Sequence, residues 1–478
     1  MTAKWTRPRR FDRNLIVIGA GSAGLVAALT AAKLGAKVTL VEAAEMGGDC
    51  LNTGCVPSKA LIHAAKLVAH ARRAAAMGLL AEPGAVDSAA AFAHVRAAVA
   101  GVAPHDSAER YRALGVEVIH GHAVLASPWA VEVAGRTLTA RAIIIATGAA
   151  PSVPDIPGLA DSGYLTSETL WRLERAPARL AILGGGPIGC ELAQAFARLG
   201  SDVTLIEAGA RLLSREDAAA SAVVQAALAQ DGVRVLLGQA VAQVADGVVQ
   251  VGGAAVAFDT LLVATGRTPR TQGFGLEALG INLTERGTIA VNAYLQTRYR
   301  HVLACGDVAG PWQLTHAAGH QGFVAGFNAL FAPWHRLRTE QSIMPAAIFT
   351  DPEIARVGLT VQQAVAEGVP HEVTRFDLAD LDRAIADDVR GGFVQVLTAP
   401  GSGRIVGATI AAPRAGEMLA EIVLAMRHRL GLGALQTVIH AYPTYNDATA
   451  RAAGLWREAH APAWALRLAA RFQRWRLG

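Results

Sequence analysis

The sequence predicts an α/β chain built on two copies of one strand, glycine turn, helix, strand unit, and three observations predict it. LIVIGAGSAGLVAALTAAKLGAKVTLVE, ending at Glu42, recurs as LAILGGGPIGCELAQAFARLGSDVTLIE, ending at Glu207; displacing residues 19–42 by 165 positions gives 11 identities in 24 aligned residues. Each copy is followed by an apolar run closing on the same tripeptide, AIIIATG at Gly148 and LLVATG at Gly266. The 478 residues, 52% hydrophobic and 17% charged, suggest about three domains with ample material for buried cores.

The first copy opens on an apolar strand. Gly19, Gly21 and Gly24 then form GxGxxG, with Ser22 among them: absent side chains allow the tight turn, close approach of a pyrophosphate to backbone N–H groups, and packing of the helix on the strand. The second strand ends on Glu42, 23 residues after the first glycine, where a carboxylate can reach ribose hydroxyls. That register identifies a Rossmann-type unit and rejects the reading of the basic start and apolar run as a signal peptide or membrane span. The second copy repeats the pattern with Gly184, Gly186, Ile188, Gly189 and the acid Glu207. Two dinucleotides are implied, and a flavin paired with a nicotinamide makes the chain a hydride relay.

Composition excludes other classes. A net charge of +5 spread over this length, without a long basic run, does not describe a nucleic-acid binder. Four cysteines are too few for a secreted disulfide framework, so a reducing, cytoplasmic setting is expected. Cys190 opens the second helix and Cys305 ends an apolar strand, so both read as small packed hydrophobes.

Cys50 and Cys55 are different. They stand five positions apart in GGDCLNTGCVPSK, open to reading as a structural disulfide, half a metal site or a redox dithiol. No further CxxC or HxxxH set accompanies them as a zinc site requires, and a bridge across so short a loop adds little stability. A helix begins after Cys55 with Pro57 in its first turn and Lys59 one turn on; helix dipole and cation both favour thiolate, the form a redox cysteine uses.

GGDCLNTGCVPSK, the two Rossmann units and ACGDVAG at 304–310 together resemble the class I pyridine nucleotide-disulfide oxidoreductases, the family of glutathione reductase, dihydrolipoamide dehydrogenase and mercuric reductase. The resemblance runs from about residue 12 to about 457. It implies an α/β fold of FAD and NAD(P) domains plus a C-terminal α+β dimerisation domain, opening with PAAIFTDPEIARVGL at 345–359, in a homodimer. Expected divisions are 1–151 and 272–341 for FAD, 152–271 for NAD(P), 342–460 for dimerisation and 461–478 for a basic tail. Cys55 would be the flavin-facing thiolate and Cys50 the interchange thiol, with Lys59 near the flavin and paired to Glu191, and Asp307 on the ribityl chain. Gly48, Asp49, Ala123, Thr147, Gly148, Gly266, Arg267 and Gly306 complete the expected cofactor contacts.

The sequence departs from the thiol-handling members at one motif. Their HxHPTxxE supplies a histidine base to the partner subunit; here the stretch is HAYPTYND, with His440, Tyr442 and Asp447. A phenol of ordinary pKa near 10 is a poor proton shuttle at neutral pH. GGDCLNTGCVPSKAL reads closest to the mercuric reductase branch, although the vicinal C-terminal cysteines and N-terminal metal-capture domain of that branch are missing. The expected acceptor is therefore a thiophilic metal ion, held transiently at Cys50 and Cys55, or another non-thiol oxidant. Lipoamide-type disulfide reduction is the alternative, and a non-catalytic nucleotide-sensing flavoprotein the rival of another class. Tyr442 also reads as interface packing. Glu207 favours NADH over a 2′-phosphorylated NADPH, with NADPH the alternative because Arg211 lies close by in sequence. In the tail, Trp464, Leu468, Phe472 and Trp475 share one helical face; a dimer-capping helix or solvated end is preferred over contact with an anionic membrane.

Overall fold

Leu15, Ile16 and Val17 in strand β1 (Arg13–Ile18) have no accessible surface, the pattern of a parallel sheet covered on both faces. The computed structural model describes residues 5–478 except 333 and 390. β1 pairs in parallel with β2 (Val38–Glu42) on one side and with Arg136–Ile145 on the other. Val116–His120 extends the sheet beyond β2, and Val302–Ala304 pairs in parallel with Arg136–Ile145. Helix α1 (Ser22–Lys33) packs against the helix Thr315–Phe331 so closely that a Cβ on Gly322 would lie 2.3 Å from the carbonyl oxygen of Ala23. Alanine and glycine, abundant in both helices, permit that approach.

The second copy folds the same way. Arg179–Leu183 pairs in parallel with Asp202–Glu207 and with Thr260–Val263, the run that ends in the second ATG. The helix between, Pro187–Arg198, buries every residue from Gly189 onward. The correspondence extends to single atoms: a Cβ on Gly24 would meet the Gly19 oxygen at 1.8 Å, and one on Gly189 the Gly184 oxygen at 1.9 Å. Helix and strand are thus locked backbone to backbone in both copies.

The chain divides into two compact units: the described residues through Ala208 with Gln239–Glu340, and Gly209–Gly238 with Gln341–Gly478. The second unit holds an antiparallel sheet ordered Ala346–Ile348, Glu353–Gly358, Ile405–Ala412, Phe393–Thr398, Glu372–Asp377. PAAIFTDPEIARVGL therefore supplies its first two strands. Helices Ala415–Arg427 and Asp447–Ala459 contribute Met418, Leu419, Ile422, Ala448 and Ala452 to its core. Within it the buried Arg356 donates to Glu216 at 2.7 Å. The architecture is α/β with a C-terminal α+β unit, as the sequence predicts. Among the described residues no helix is long and apolar enough to cross a membrane.

Candidate active site

Cys50 lies in the short helix α2 (Gly48–Asn52) and Cys55 is the first residue of α3 (Cys55–Ala76). The turn between them is held tightly. A Cβ on Gly54 would lie 2.8 Å from the carbonyl oxygen of Asp49, so only glycine lets the chain double back there. Asn52 donates to the carbonyls of Met46 and Gly48 at 2.9 and 3.0 Å, and the Trp171 indole donates to that of Thr53 at 2.8 Å. Both cysteines are free thiols and half-buried.

Their acidities are pushed apart. Hydrogen bonding from the Cys50 thiol lowers Cys55 to about 6 against opposing burial, with the Thr315 hydroxyl and the Lys59 cation assisting. Cys50 is correspondingly raised, first by that bond and then by burial and by the charge of Cys55. Cys55 Sγ stands 3.1 Å from Thr315 Oγ1. One sulfur is therefore a ready thiolate at neutral pH while the other keeps its proton. Lys59 Nζ donates to Glu191 Oε2 at 2.9 Å, joining the cysteine helix to the helix of the second copy, and Glu191 is 6% exposed. Cys190 and Cys305 are fully buried, and burial raises both thiols, Cys305 to about 12. They are inert packing groups.

The glycine turns fit a dinucleotide. Gly21 and Gly186 are the N-caps of α1 and Pro187–Arg198 with no side chain capping either helix, so the first-turn N–H groups remain for an outside acceptor. A Cβ on Gly48 would fall 2.6 Å from Gly21 Cα, which brings the segment before the cysteines onto the first turn, beside Ser22. Glu42 and Glu207 play matching structural parts: Glu42 Oε2 accepts from Ala20 N at 2.5 Å and Glu207 Oε2 from Gly185 N at 2.6 Å. Each acid thereby fixes its own glycine turn, leaving further lone pairs for a sugar hydroxyl.

Three distant residues converge near the cysteines. Arg267 hydrogen-bonds Asp49 and the Ala149 carbonyl, the latter at 2.8 Å, and its Nε lies 3.6 Å from Asp307 Oδ2. Asp307 is raised to about 6, chiefly by burial, with Arg267 opposing. A half-buried carboxyl so poised suits a polyol hydroxyl. Thr147 Oγ1 donates to the Arg270 carbonyl at 2.8 Å, Gly148 and Gly266 adopt positive φ, Ala123 is buried, and Gly306 N donates to Gln321 at 2.8 Å. Ile188 is half-buried beside Gly189.

HAYPTYND lies in the second unit. His440 Nε2 stands 2.9 Å from Glu421 Oε1, so its carboxylate partner is one the sequence reading missed. Tyr442 is 70% exposed and donates its hydroxyl to Asp382 Oδ2 at 2.9 Å; that hydrogen bond and the Asp382 charge raise its pKa. Asp447 instead faces Arg451 at 3.2 Å. Tyr442 and Asp447 thus take different partners. Thr315 and Trp171 were also missed; the only trace of Thr315 is its place at the helix start following ACGDVAG, and Trp171 leaves none.

Two family models cover most of the chain. That of the pyridine nucleotide-disulphide oxidoreductases matches residues 13–322, and that of their dimerisation domain residues 344–453. Dihydrolipoyl dehydrogenase of Chlamydia muridarum is 35% identical over 450 residues, 92% of this chain and 96% of the relative. Mercuric reductase of Acidithiobacillus ferrooxidans is likewise 35% identical, over 91% of this chain and 80% of the relative. The HOCl-induced flavoprotein disulfide reductase RclA from Escherichia coli, solved as a Cu(II) complex, superposes with a TM-score of 0.82 at 29% identity, covering 93% of this chain and 99% of RclA. The chain belongs to the pyridine nucleotide-disulphide oxidoreductase family and is a flavoprotein disulfide oxidoreductase.

Proposed function

We propose that this flavoprotein works as a homodimer, taking electrons from NADH and passing them through Cys55 and Cys50 to a thiophilic metal ion or another non-thiol oxidant. The observation that carries the choice of acceptor is Tyr442. Its phenol stands where disulfide-handling relatives place an imidazole, is tied to Asp382, and has its pKa raised from an already high value. A disulfide substrate leaves as two thiols and needs a proton donor; a metal ion does not. RclA, itself a flavoprotein disulfide reductase, is solved with Cu(II) bound, which supports a metal ion as a ligand of a protein of this fold.

The residues fit FAD at the first copy, through Gly19, Gly21, Ser22, Gly24, Glu42, Gly48, Asp49, Ala123, Thr147, Gly148, Arg267, Gly306 and Asp307. The nicotinamide dinucleotide fits the second, through Gly184, Gly186, Ile188, Gly189, Glu207 and Gly266. When bound, FAD supplies a two-electron relay between reduced nicotinamide and a sulfur bridge. Lys59, fixed by Glu191, keeps a positive charge beside Cys55 and with the Thr315 hydroxyl holds that sulfur as thiolate. Cys50 keeps its proton until it meets the acceptor. As the Cys50–Cys55 bond forms, two electrons leave to one two-electron or two one-electron acceptors, and the remaining thiol proton goes to solvent. Glu207 would repel a 2′-phosphate, while the Arg211 guanidinium is engaged by the carbonyls of Leu213, Ser214 and Glu216, which favours NADH. The match to a dimerisation domain supports the homodimer.

Dihydrolipoamide oxidation is the second reading, favoured by relatives 35% identical over 92% of the chain. Anaerobically reduced protein assayed against Hg(II), Cu(II), lipoamide, glutathione disulfide and quinones separates the two. Metal or quinone turnover with slow lipoamide turnover is expected; rapid lipoamide turnover overturns the proposal.

A further inference from the structure

None of the 15 residues of the C-terminal helix Ala463–Leu477 is buried. Yet Trp464, Leu468, Phe472 and Trp475 are 65%, 61%, 50% and 75% exposed. Their spacings of four, four and three place them in one stripe along the helix. Arg467, Arg471 and Arg474 run down one flank of that stripe and Arg476 lies on the other, while no acidic residue occurs after Glu458. The Phe472 and Trp475 rings lie 5.9 Å apart, with the Arg476 guanidinium over Phe472. The helix also lies beyond residues 344–453 that the dimerisation family model matches.

A lone helix of this length is marginal in water, and a stripe with two tryptophans is costly to leave wet, so an occupant is required. Charge selects it. A second copy would bring four more guanidiniums against these four. An anionic bilayer surface offers the complementary sign, an apolar boundary for the stripe, and headgroup depth for indole rings at both its ends, about 16 Å apart along the axis. Arginine stems can lie along the apolar boundary while their heads meet lipid phosphates. The helix is too short and too charged to span.

Against the sequence expectation of a dimer-capping or solvated end, we propose that Ala463–Leu477 is an interfacial anchor that seats this protein on a membrane surface rich in anionic lipid, apolar stripe inward. The proposal is independent of which electron acceptor is used. The test is flotation of the full-length flavoprotein with phosphatidylglycerol–phosphatidylcholine vesicles and with phosphatidylcholine vesicles alone. Flotation with the anionic vesicles only, reversed by added salt, is expected. Each arginine near an anionic surface contributes about a fivefold gain in partitioning, so R467Q/R471Q/R474Q should bind about a hundredfold more weakly. W464S/W475S should also detach, and both variants should keep wild-type NADH-dependent turnover and sedimentation. Equal flotation with both vesicle types, or none with either, overturns the proposal. So does dissociation of the dimer in these variants with vesicle binding unchanged, which would assign the stripe to a second copy.

Discussion

Replacing Thr315 with valine keeps the size of the side chain and deletes the hydroxyl 3.1 Å from Cys55 Sγ. A hydrogen bond to a charged group contributes roughly 1.5–3 kcal/mol, and about 1.4 kcal/mol corresponds to one pKa unit. Cys55, held at about 6, should therefore rise to between roughly 7 and 8. At pH 7 the thiolate fraction would fall from about nine-tenths to between about one-half and one-tenth. The sign follows from the lowered pKa: stability derived from the thiolate is complete above the unperturbed value of 9.0 and is lost as pH falls through about 6, and the variant narrows that window from below. The assay is the pH dependence of iodoacetamide labelling of Cys55 in reduced protein, read by peptide mass spectrometry. Cys50, raised, labels slowly and is resolved as a separate residue. Thr315→Ser retains the hydroxyl and should titrate near the wild-type value. An unchanged Cys55 titration in Thr315→Val would refute the reasoning and leave Cys50 and Lys59 as the whole cause.

Four further outcomes are expected. Tyr442→His restores an imidazole to HAYPTYND and should raise lipoamide turnover at least about tenfold with a profile following a group near pH 6.5, leaving metal reduction little changed; an unmoved lipoamide rate would detach this position from proton transfer. Gly24→Ala forces a Cβ to 1.8 Å from the Gly19 oxygen, so the purified protein should retain less flavin and melt lower, by about 1–3 kcal/mol. Gly189→Ala, at 1.9 Å from the Gly184 oxygen, should keep its flavin and lose NADH affinity; equal flavin loss in both would contradict separate sites. Lys59→Met removes the cation 2.9 Å from Glu191 Oε2 and should cost about 3 kcal/mol in thermal denaturation, partly recovered by adding Glu191→Gln. Additive losses in the double variant would show that the pair is not coupled.

What could be read from the sequence shares one property: it depends on neighbours along the chain. Gly19 and Gly24 mark a turn because backbone sterics forbid a side chain there, and the paired copies mark the fold because the same local rules are written twice. Cys50 and Cys55 are legible as a pair because a glycine turn and a helix start sit between and after them. His440 and Tyr442 were legible as residues but not as partners: Glu421 and Asp382, which engage them, lie 19 and 60 positions away. Asp447 pairs instead with Arg451, one helical turn along its own helix.

The sequence by itself determined the two nucleotide turns, the acids that end their second strands, and the five-residue separation of the sulfurs, because φ restrictions, helix starts and strand periodicity act over a few residues. The helix start and Lys59 already pointed to Cys55 as the thiolate, whereas tertiary structure alone supplied the Cys50 and Thr315 hydrogen bonds that hold it so. Thr315 lies 260 positions from Cys55, Glu191 lies 132 from Lys59, and Arg267 lies 218 from Asp49. Electrostatics falls off with distance in space rather than with separation along the chain, so no local pattern could announce these contacts before the fold closed them.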